Sequence, residues 1–559
     1  MKNTDVLAMT LRELGITRVY GLQGGSVAHI FDSLEKFEIE VNYLHHEESC
    51  ALSAAAASTL PNTVGVLVVT TGPAGTNALT GVLGAWQDSL PLIIISGQAR
   101  SNQLSYETGL RQFGSQEAPI LDIVKPITKK TYLVMPEETI KKVIRDAYFE
   151  SRSGRPGPVW IDLPIDVQLM DVEVQDNVTE TLTEESFVEV IDQSLIDDFH
   201  NSLNPILILG GGAKQILMTD ESLCQKMDSL GIPIFLTWTS AALASKLKNY
   251  CGILGQFGHN GANNVAMDAD FILALGSNLS TMVMNPLQIK IRDTKLHVHN
   301  IDPHVLDFVK KQYSAITHQG DLKVFLSYFL SKTKKVGNKN STRLARKELD
   351  SNLEECNYRL RETYERTGKL HSHGVVEFLT RRMQFDNLII DGGGTALYSG
   401  FQAGHLQNYR NIVCSAAISS MGTSLAQSIV FADSSNLSLS IIGDGSFIMA
   451  LRDLASICKN SRLVILVINN CGYLAIRHTQ KDYLSSKFLG TFYLAGDELP
   501  DIEPIVKGFG LRYKSLRTLQ DLENFSEDKV YSPIVVEAFC DPNQEPMWPL
   551  SKHRIQPAK

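Results

Sequence analysis

Two stretches decide the reading of this chain: Ile441-Ile442-Gly443-Asp444-Gly445-Ser446 and Ile468-Asn469-Asn470-Cys471-Gly472. An apolar run ends at Ile442, and the turn Gly443 to Ser446 opens a helix with apolar positions at Phe447, Leu451, Leu454 and Ile457. A second apolar run, Leu463 to Ile468, stops at two asparagines. Parallel strands joined by a helix present their C-terminal ends at one edge of the sheet. Asp444 and Asn470 are therefore expected to converge above that edge. A carboxylate, an amide oxygen and a nearby carbonyl are hard oxygen ligands, which suit Mg2+ sharing its shell with phosphate oxygens. The glycines let the backbone approach a diphosphate, and a helix N-terminus favours an anion.

The same alternation of short β-branched runs and amphipathic helices recurs along the whole chain, which predicts α/β layers. Expected strands in the first segment, 1–170, are Val64–Thr70, Leu92–Ser96 and Val159–Leu163. In the second, 190–330, they are Ile206–Leu209, Ile232–Leu236, Phe271–Leu275 and Leu296–Asn300. The third, 370–559 with a C-terminal tail, carries Leu388–Ile390, Leu437–Ile442, Leu463–Ile468 and Ile534–Glu537. Three doubly wound parallel-sheet domains are expected. The acidic stretch Asp171–Glu189 and the Lys-, Asn- and Ser-rich stretch Ser331–Lys347 read as exposed linkers.

Composition narrows the function. The 559 residues are 43% hydrophobic and 20% charged, enough for several cores and unlike a disordered chain. A net charge of −9 without a long basic run argues against a nucleic-acid binder. No apolar run approaches the ~20 residues of a membrane span, and the N-terminus lacks a signal-peptide core. Eight cysteines without a C-x-x-C pair read as free thiols in a reducing cytoplasm.

The Gly-Asp-Gly and Asn-Asn pair resembles the motif of thiamine diphosphate enzymes, within which the chain is similar to the acetolactate synthases. Leu44-His45-His46-Glu47-Glu48-Ser49-Cys50-Ala51 looks like their His-Glu-Gln-Gly-Ala stretch. Gly21-Leu22-Gln23-Gly24-Gly25 resembles their Gly-Tyr-Pro-Gly-Gly loop. Thr71 to Asn77, Asp88 to Leu92, Ser96-Gly97-Gln98, Ser115-Gln116-Glu117 and Ser419-Ser420-Met421-Gly422 resemble further blocks. The likeness spans essentially the whole chain.

The resemblance implies Asp444, Asn470 and the Gly472 carbonyl as Mg2+ ligands. It makes Glu47 the catalytic acid that relays a proton at the pyrimidine of the cofactor. It assigns cofactor contacts to Gly24, Gly25, Thr71, Asn77, Gln116, Ser419, Met421, Gly443, Gly445, Ser446, Tyr473 and Leu474, with Met421 as the wedge that bends the cofactor. The cofactor supplies the chemistry that decarboxylates a 2-keto acid, and the protein positions it. In the second segment, Ile208-Leu209-Gly210-Gly211-Gly212-Ala213 ends a strand and opens a helix, as a dinucleotide phosphate site requires. Acetolactate synthases bind a structural FAD there, and position by position this carries over to Gly210, Gly211, Gly212, Thr237, Gly255, Gly276, Asn300 and Asp321. A homodimer or homotetramer with active sites at the subunit interface, acting on small molecules, is also implied, without nucleic acid or membrane.

Departures from the relatives bear on the acceptor. Pyruvate decarboxylases place a Glu where this chain has Ile476, and this chain has no His between Ser101 and Glu117. A site short of proton donors favours carboligation over simple decarboxylation. Gly276-Ser277-Asn278-Leu279 stands where acetolactate synthases have Gly-x-Arg-Phe, so Asn278 replaces the cation that holds a second keto acid. The Trp that follows their Asn-Asn is missing between Asn470 and Cys540. Stretches Leu110–Glu117 and Gly472–Gln480 look like a polysaccharide-sugar branch, of the yersiniose-forming type, whose acceptor is a nucleotide-linked 4-keto-deoxysugar. Arg477 and Gln480 are expected either to face that acceptor or to lie on a surface helix. The alternatives are an acetolactate synthase, a nonoxidative 2-keto acid decarboxylase and a catalytically silent scaffold.

Overall fold

The computed structural model describes residues 1–173, 193–285, 294–334, 339–415, 417–491 and 499–547, residue 107 excepted. Its described strands form three six-stranded sheets, and every pairing is parallel. The first sheet contains β1 (Arg18–Gly21), β2 (Glu40–Tyr43), β3 (Gly65–Val69), β4 (Leu92–Gln98), β5 (Lys130–Leu133) and β6 (Pro158–Pro164). The second contains β7 (Pro205–Leu209), β8 (Ile234–Leu236), β9 (Tyr250–Ile253), β10 (Phe271–Leu275), β11 (Lys295–Asn300) and β12 (Ile316–Gln319). The third contains β13 (Asn387–Ile390), β14 (Asn411–Val413), β15 (Leu437–Gly443), β16 (Arg462–Asn469), β17 (Arg512–Leu516) and β18 (Ile534–Phe539).

The first and third sheets share one topology, β2-β1-β3-β4-β6-β5 and β14-β13-β15-β16-β18-β17. The middle sheet runs β12-β11-β10-β7-β8-β9. In its own numbering that is the 3-2-1-4-5-6 order of a doubly wound nucleotide-binding sheet, with its switch point between β7 and β10.

Both faces of the central strands are buried, which is why they read as continuous apolar runs rather than alternating ones. In the first sheet, Val66, Val68, Ile93, Ile95, Val159 and Ile161 belong to one core. Their neighbours Leu67, Val69, Leu92, Ile94 and Trp160 belong to another. Each such side chain contributes roughly 1.5–3 kcal/mol on burial.

The chain forms two compact units. The first holds the β1–β6 sheet together with the short segments Ala426–Val430 and Ala450–Ile457, and the second holds the other two sheets. Most of the expected linker Asp171–Glu189 lies outside the described residues, as does the tail beyond residue 547. The expected linker Ser331–Lys347 needs correction. The helix Leu322–Lys332 runs into it, and the helix Lys339–Thr367 begins within it. Ala345, Leu349, Cys356 and Leu360 are buried along that second helix. Their spacings of helical period form an apolar stripe that the polar composition conceals. No helix among the described residues is long and apolar enough to cross a membrane.

Candidate active site

The third sheet brings its two sequence motifs together. β15 and β16 are in register, with Gly443 opposite Ile468, so Asp444 and Asn470 emerge side by side. Asp444 Oδ2 accepts the backbone N–H of Asn470 (3.1 Å) and of Gly472 (2.8 Å), while Oδ1 accepts the N–H of Gly445 (2.7 Å). Burial pushes the Asp444 carboxyl up to about 7, against the opposing effect of those hydrogen bonds.

The two asparagines have separate jobs. Asn469 Oδ1 accepts the N–H of Cys471 (3.0 Å), and its Nδ2 donates to buried Glu537 (2.5 Å). This fixes Cys471 in the left-handed region at φ 59°. Asn470 Nδ2 donates to Thr395 Oγ1 (3.0 Å), leaving Asn470 Oδ1 buried with no partner. An orphaned buried amide oxygen beside a buried carboxylate is costly alone and suits a hard cation. Among the described residues no group of three His, Cys, Asp or Glu side chains could hold a metal. Asp444, Asn470 and the Gly472 carbonyl form an all-oxygen donor set that would suit Mg2+. Gly445 is required by packing: a Cβ there would lie 2.2 Å from the Tyr473 ring. Ser446 and Leu474 are buried beside this loop.

The Met421 segment is fixed by a residue that the sequence reading passed over. Fully buried Asp391, just beyond β13, accepts the N–H groups of Gly422 (3.2 Å), Thr423 (2.7 Å) and Ser424 (3.2 Å). The Ser446 hydroxyl also hydrogen-bonds this carboxyl, and burial raises its pKa. Ser419 adopts φ 52°, and Met421 packs so closely on Gly393 that a Cβ there would meet Met421 Cγ at 2.6 Å. An acidic residue at a strand end directly before Gly392-Gly393-Gly394 was the available signal.

In the first unit, Glu47 is the first residue of the helix Glu47–Ala57 and only 8% exposed. His46 caps that helix, its Nδ1 accepting the N–H of Glu48 (3.2 Å). Glu47 Oε2 accepts from Asn77 Nδ2 (3.0 Å), so two of the expected site residues are joined. Glu48 pairs with Arg452, and Ser49 Oγ donates to Asp453 (2.5 Å). Thr71 Oγ1 reaches Gln98 Oε1 (2.9 Å) and the Gln116 carbonyl (3.3 Å). Gln98 Nε2 in turn donates to buried Asp162 (2.9 Å), whose carboxyl burial pushes up to about 7. Gly72 adopts φ 68° and leaves room for the Gln116 carbonyl, which a Cβ would meet at 2.3 Å. Gln116 itself is left-handed at φ 57°. Gly24 packs against Thr70, and Gly25 opens onto free space.

Three family models match the chain in order: the N-terminal thiamine pyrophosphate binding domain over residues 1–123, the central domain over 193–329 and the C-terminal thiamine pyrophosphate binding domain over 393–538. The chain belongs to the thiamine pyrophosphate enzymes. It is 27% identical over 568 residues to the acetolactate synthase large subunit of Lactococcus lactis, covering 98% of this chain and 95% of that one. It is 27% identical over 528 residues to chloroplastic acetolactate synthase 2 of Zea mays, covering 91% and 80%. It is 26% identical over 537 residues to the acetolactate synthase isozyme 3 large subunit of Escherichia coli, covering 91% and 89%. It is thus a thiamine diphosphate-dependent, carbon–carbon bond-forming enzyme of the acetolactate synthase-like kind.

In the middle sheet of this thiamine pyrophosphate enzyme, the residues carried over as flavin contacts fall at the C-terminal ends of all six strands. Gly210, Gly211 and Gly212 follow β7, Thr237 follows β8, and Gly255 lies beyond β9. Gly276 follows β10, Asn300 ends β11, and Asp321 lies beyond β12. At the switch point, Gly212 N donates to Gly276 O (3.0 Å) and Asn300 Nδ2 to Ser277 O (3.2 Å). Asp321 caps the next helix through Val324 N (2.9 Å).

The expected acceptor residues divide. Asn278 is exposed, and its Oδ1 accepts Ser280 N at 3.3 Å. Ile476 is 49% exposed. Arg477 and Gln480 do not lie on a surface: both are buried. Both Nη groups of Arg477 donate to backbone carbonyls, and Gln480 Nε2 donates to Leu489 O (2.8 Å) while its Oε1 accepts Leu489 N–H (3.3 Å). A helix packed against its own C-terminal loop turns these polar side chains inward, which local sequence cannot reveal.

Proposed function

We propose that this enzyme decarboxylates a 2-keto acid, pyruvate, and passes the two-carbon acetyl unit to a carbonyl acceptor that is a nucleotide-linked 4-keto-deoxysugar. The observation that carries the acceptor is Asn278, an exposed neutral amide where a cation would hold a second keto acid. An amide cannot replace a guanidinium as a carboxylate clamp. Bound thiamine diphosphate would supply the electron sink for decarboxylation. Asp444, Asn470 and the Gly472 carbonyl would hold Mg2+ against its diphosphate. Glu47, oriented by Asn77, would hold the proton at the pyrimidine ring nitrogen. Met421, on a loop pinned by Asp391, would support the bend of the cofactor. Exposed Ile476 offers no proton to the two-carbon unit, which leaves it for the acceptor.

The relatives' names favour a second reading, acetolactate synthesis with pyruvate as both donor and acceptor. Incubation with pyruvate, thiamine diphosphate and Mg2+, with and without a 4-keto nucleotide sugar, separates the readings. A sugar product heavier by an acetyl unit is expected. Acetolactate as the sole product supports the second reading, acetaldehyde a decarboxylase, and no carbon dioxide a silent scaffold.

The reading includes a structural FAD on the middle sheet, supported by its strand order and the six strand ends. A purified protein without flavin absorbance would remove it. It also includes a cytoplasmic homodimer or homotetramer with interfacial active sites, which light scattering of the holoenzyme tests.

A further inference from the structure

We propose that Arg477 is a positioning residue that sets the direction of the peptide groups in the Asn470–Gly472 loop, and through them its competence to hold Mg2+ with the diphosphate. The proposal rests on the thiamine diphosphate and Mg2+ reading above.

Arg477 sits on the helix Leu474–Tyr483 and is 3% exposed. Its Nη2 donates to Asn470 O (2.7 Å) and Pro542 O (3.0 Å). Its Nη1 donates to Cys471 O (3.0 Å) and Thr491 O (3.1 Å). Each Nη carries two hydrogens, so these bonds use the whole outer fork of the guanidinium.

The consequence follows from peptide planarity. In a trans peptide the C=O and the next N–H point in opposite directions. Holding Cys471 O on the guanidinium turns the Gly472 N–H the other way, where it meets Asp444 Oδ2 at 2.8 Å. Holding Asn470 O likewise turns the Cys471 N–H toward Asn469 Oδ1 at 3.0 Å. Two planes are thereby fixed between the Asn470 side chain and the Gly472 carbonyl, both candidate ligands. The left-handed Cys471 between them, at φ 59°, is a conformation that persists only where its surroundings over-determine it. Lysine cannot substitute fully, because one ammonium lacks the planar fork needed to reach carbonyls on several chain segments.

The test is a Mg2+ titration of the full-length apoprotein with thiamine diphosphate present, followed by calorimetry, on wild type, R477K, R477M and a control, V464A. Val464 is fully buried in β16 away from the loop's hydrogen bonds, so V464A reports simple loss of stability. Arginine substitution is expected to raise the half-saturating Mg2+ concentration about tenfold or more, R477M beyond R477K, as for groups that orient metal ligands. V464A should lower the melting temperature of the apoprotein and leave Mg2+ uptake within about twofold. If one arginine variant does not fold, the other decides. A folded R477K or R477M with wild-type uptake, or a V464A shift as large as theirs, overturns the positioning role. A wild type that takes up no thiamine diphosphate with Mg2+ overturns the reading beneath it, a distinct result.

Discussion

Asp444 and Asn470 stand 26 positions apart, yet one Asp444 oxygen accepts the Asn470 backbone N–H at 3.1 Å. The same oxygen accepts from Gly472, and Thr395 turns the Asn470 side chain so that its own oxygen is left buried and unpaired. The carboxylate thus organises the loop that carries the two other candidate Mg2+ ligands, the Asn470 amide oxygen and the Gly472 carbonyl. Asn470→Ala removes one donor and the Thr395 bond. Its half-saturating Mg2+ concentration is expected to rise about tenfold or more while the sheet remains folded. Unchanged Mg2+ uptake, measured by calorimetry with thiamine diphosphate, would contradict that assignment.

In the proposed function Glu47 holds the proton, and Asn77 Nδ2 donates to its carboxyl at 3.0 Å. Glu47→Gln keeps the shape but cannot ionise. Carbon dioxide release should fall by about 10²–10⁴-fold, the usual scale for a lost acid–base group, with the melting temperature within a few degrees of wild type. Turnover near wild type would remove Glu47 from the mechanism.

Asp391 collects three N–H groups of the Met421 segment. Asp391→Ala strands them in a buried site, at about 1–3 kcal/mol for each unsatisfied group. A lower melting temperature and weaker thiamine diphosphate binding are expected together. Met421→Leu, which retains the bulk without touching the Asp391 bonds, should keep the melting temperature. Wild-type stability in the alanine variant would show that water or neighbouring groups replace the carboxylate.

Asp162 gives a pH signature. Its folded-state pKa is pushed by burial from 3.8 up to about 7. The native state therefore binds more protons than the unfolded chain between those values. The stabilisation is fully present below the unfolded pKa and is lost as pH rises through about 7. It is of order a few kcal/mol. Urea midpoints of the apoprotein at pH 5 and pH 7.5 should differ less in Asp162→Asn than in wild type. An identical pH slope in the two proteins would show that Asp162 does not titrate in this range.

Gly445→Ala places a methyl carbon 2.2 Å from the Tyr473 ring. Overpacking of this kind costs about 1–3 kcal/mol. Because the displaced ring borders the Gly472 loop, thiamine diphosphate affinity should fall as well, and a binding titration of the variant checks it.

Legibility in the sequence followed burial. Each strand expected from an apolar run is present, from Phe271–Leu275, whose bounds coincide, to Ile534–Phe539, which extends the expected run. The strands without a firm expectation include all six sheet edges: β2, β5, β9, β12, β14 and β17. Five of these edge strands are partly open to solvent, as in Glu40–Tyr43 and Lys130–Leu133, so they need not carry a continuous apolar run, whereas Tyr250–Ile253 is buried but only four residues long and interrupted by Gly252. β1 was missed for a different reason: it is an interior strand of only four residues, Arg18–Gly21, opened by an exposed arginine. The long helix from Lys339 was hidden by its charge, because a single buried stripe suffices to hold it.

By itself the sequence determined the α/β layering, the thiamine pyrophosphate motifs and the pairing of Asp444 with Asn470, because strand periodicity and turn chemistry are local properties. Only the tertiary structure decided that Asp391 and Glu537 brace the loops of the second unit, that Gln98 and Asp162 brace Thr71 in the first, and that Arg477 turns inward. Those roles depend on which buried carbonyls and N–H groups from distant segments need a partner, and that demand exists only once the chain has packed.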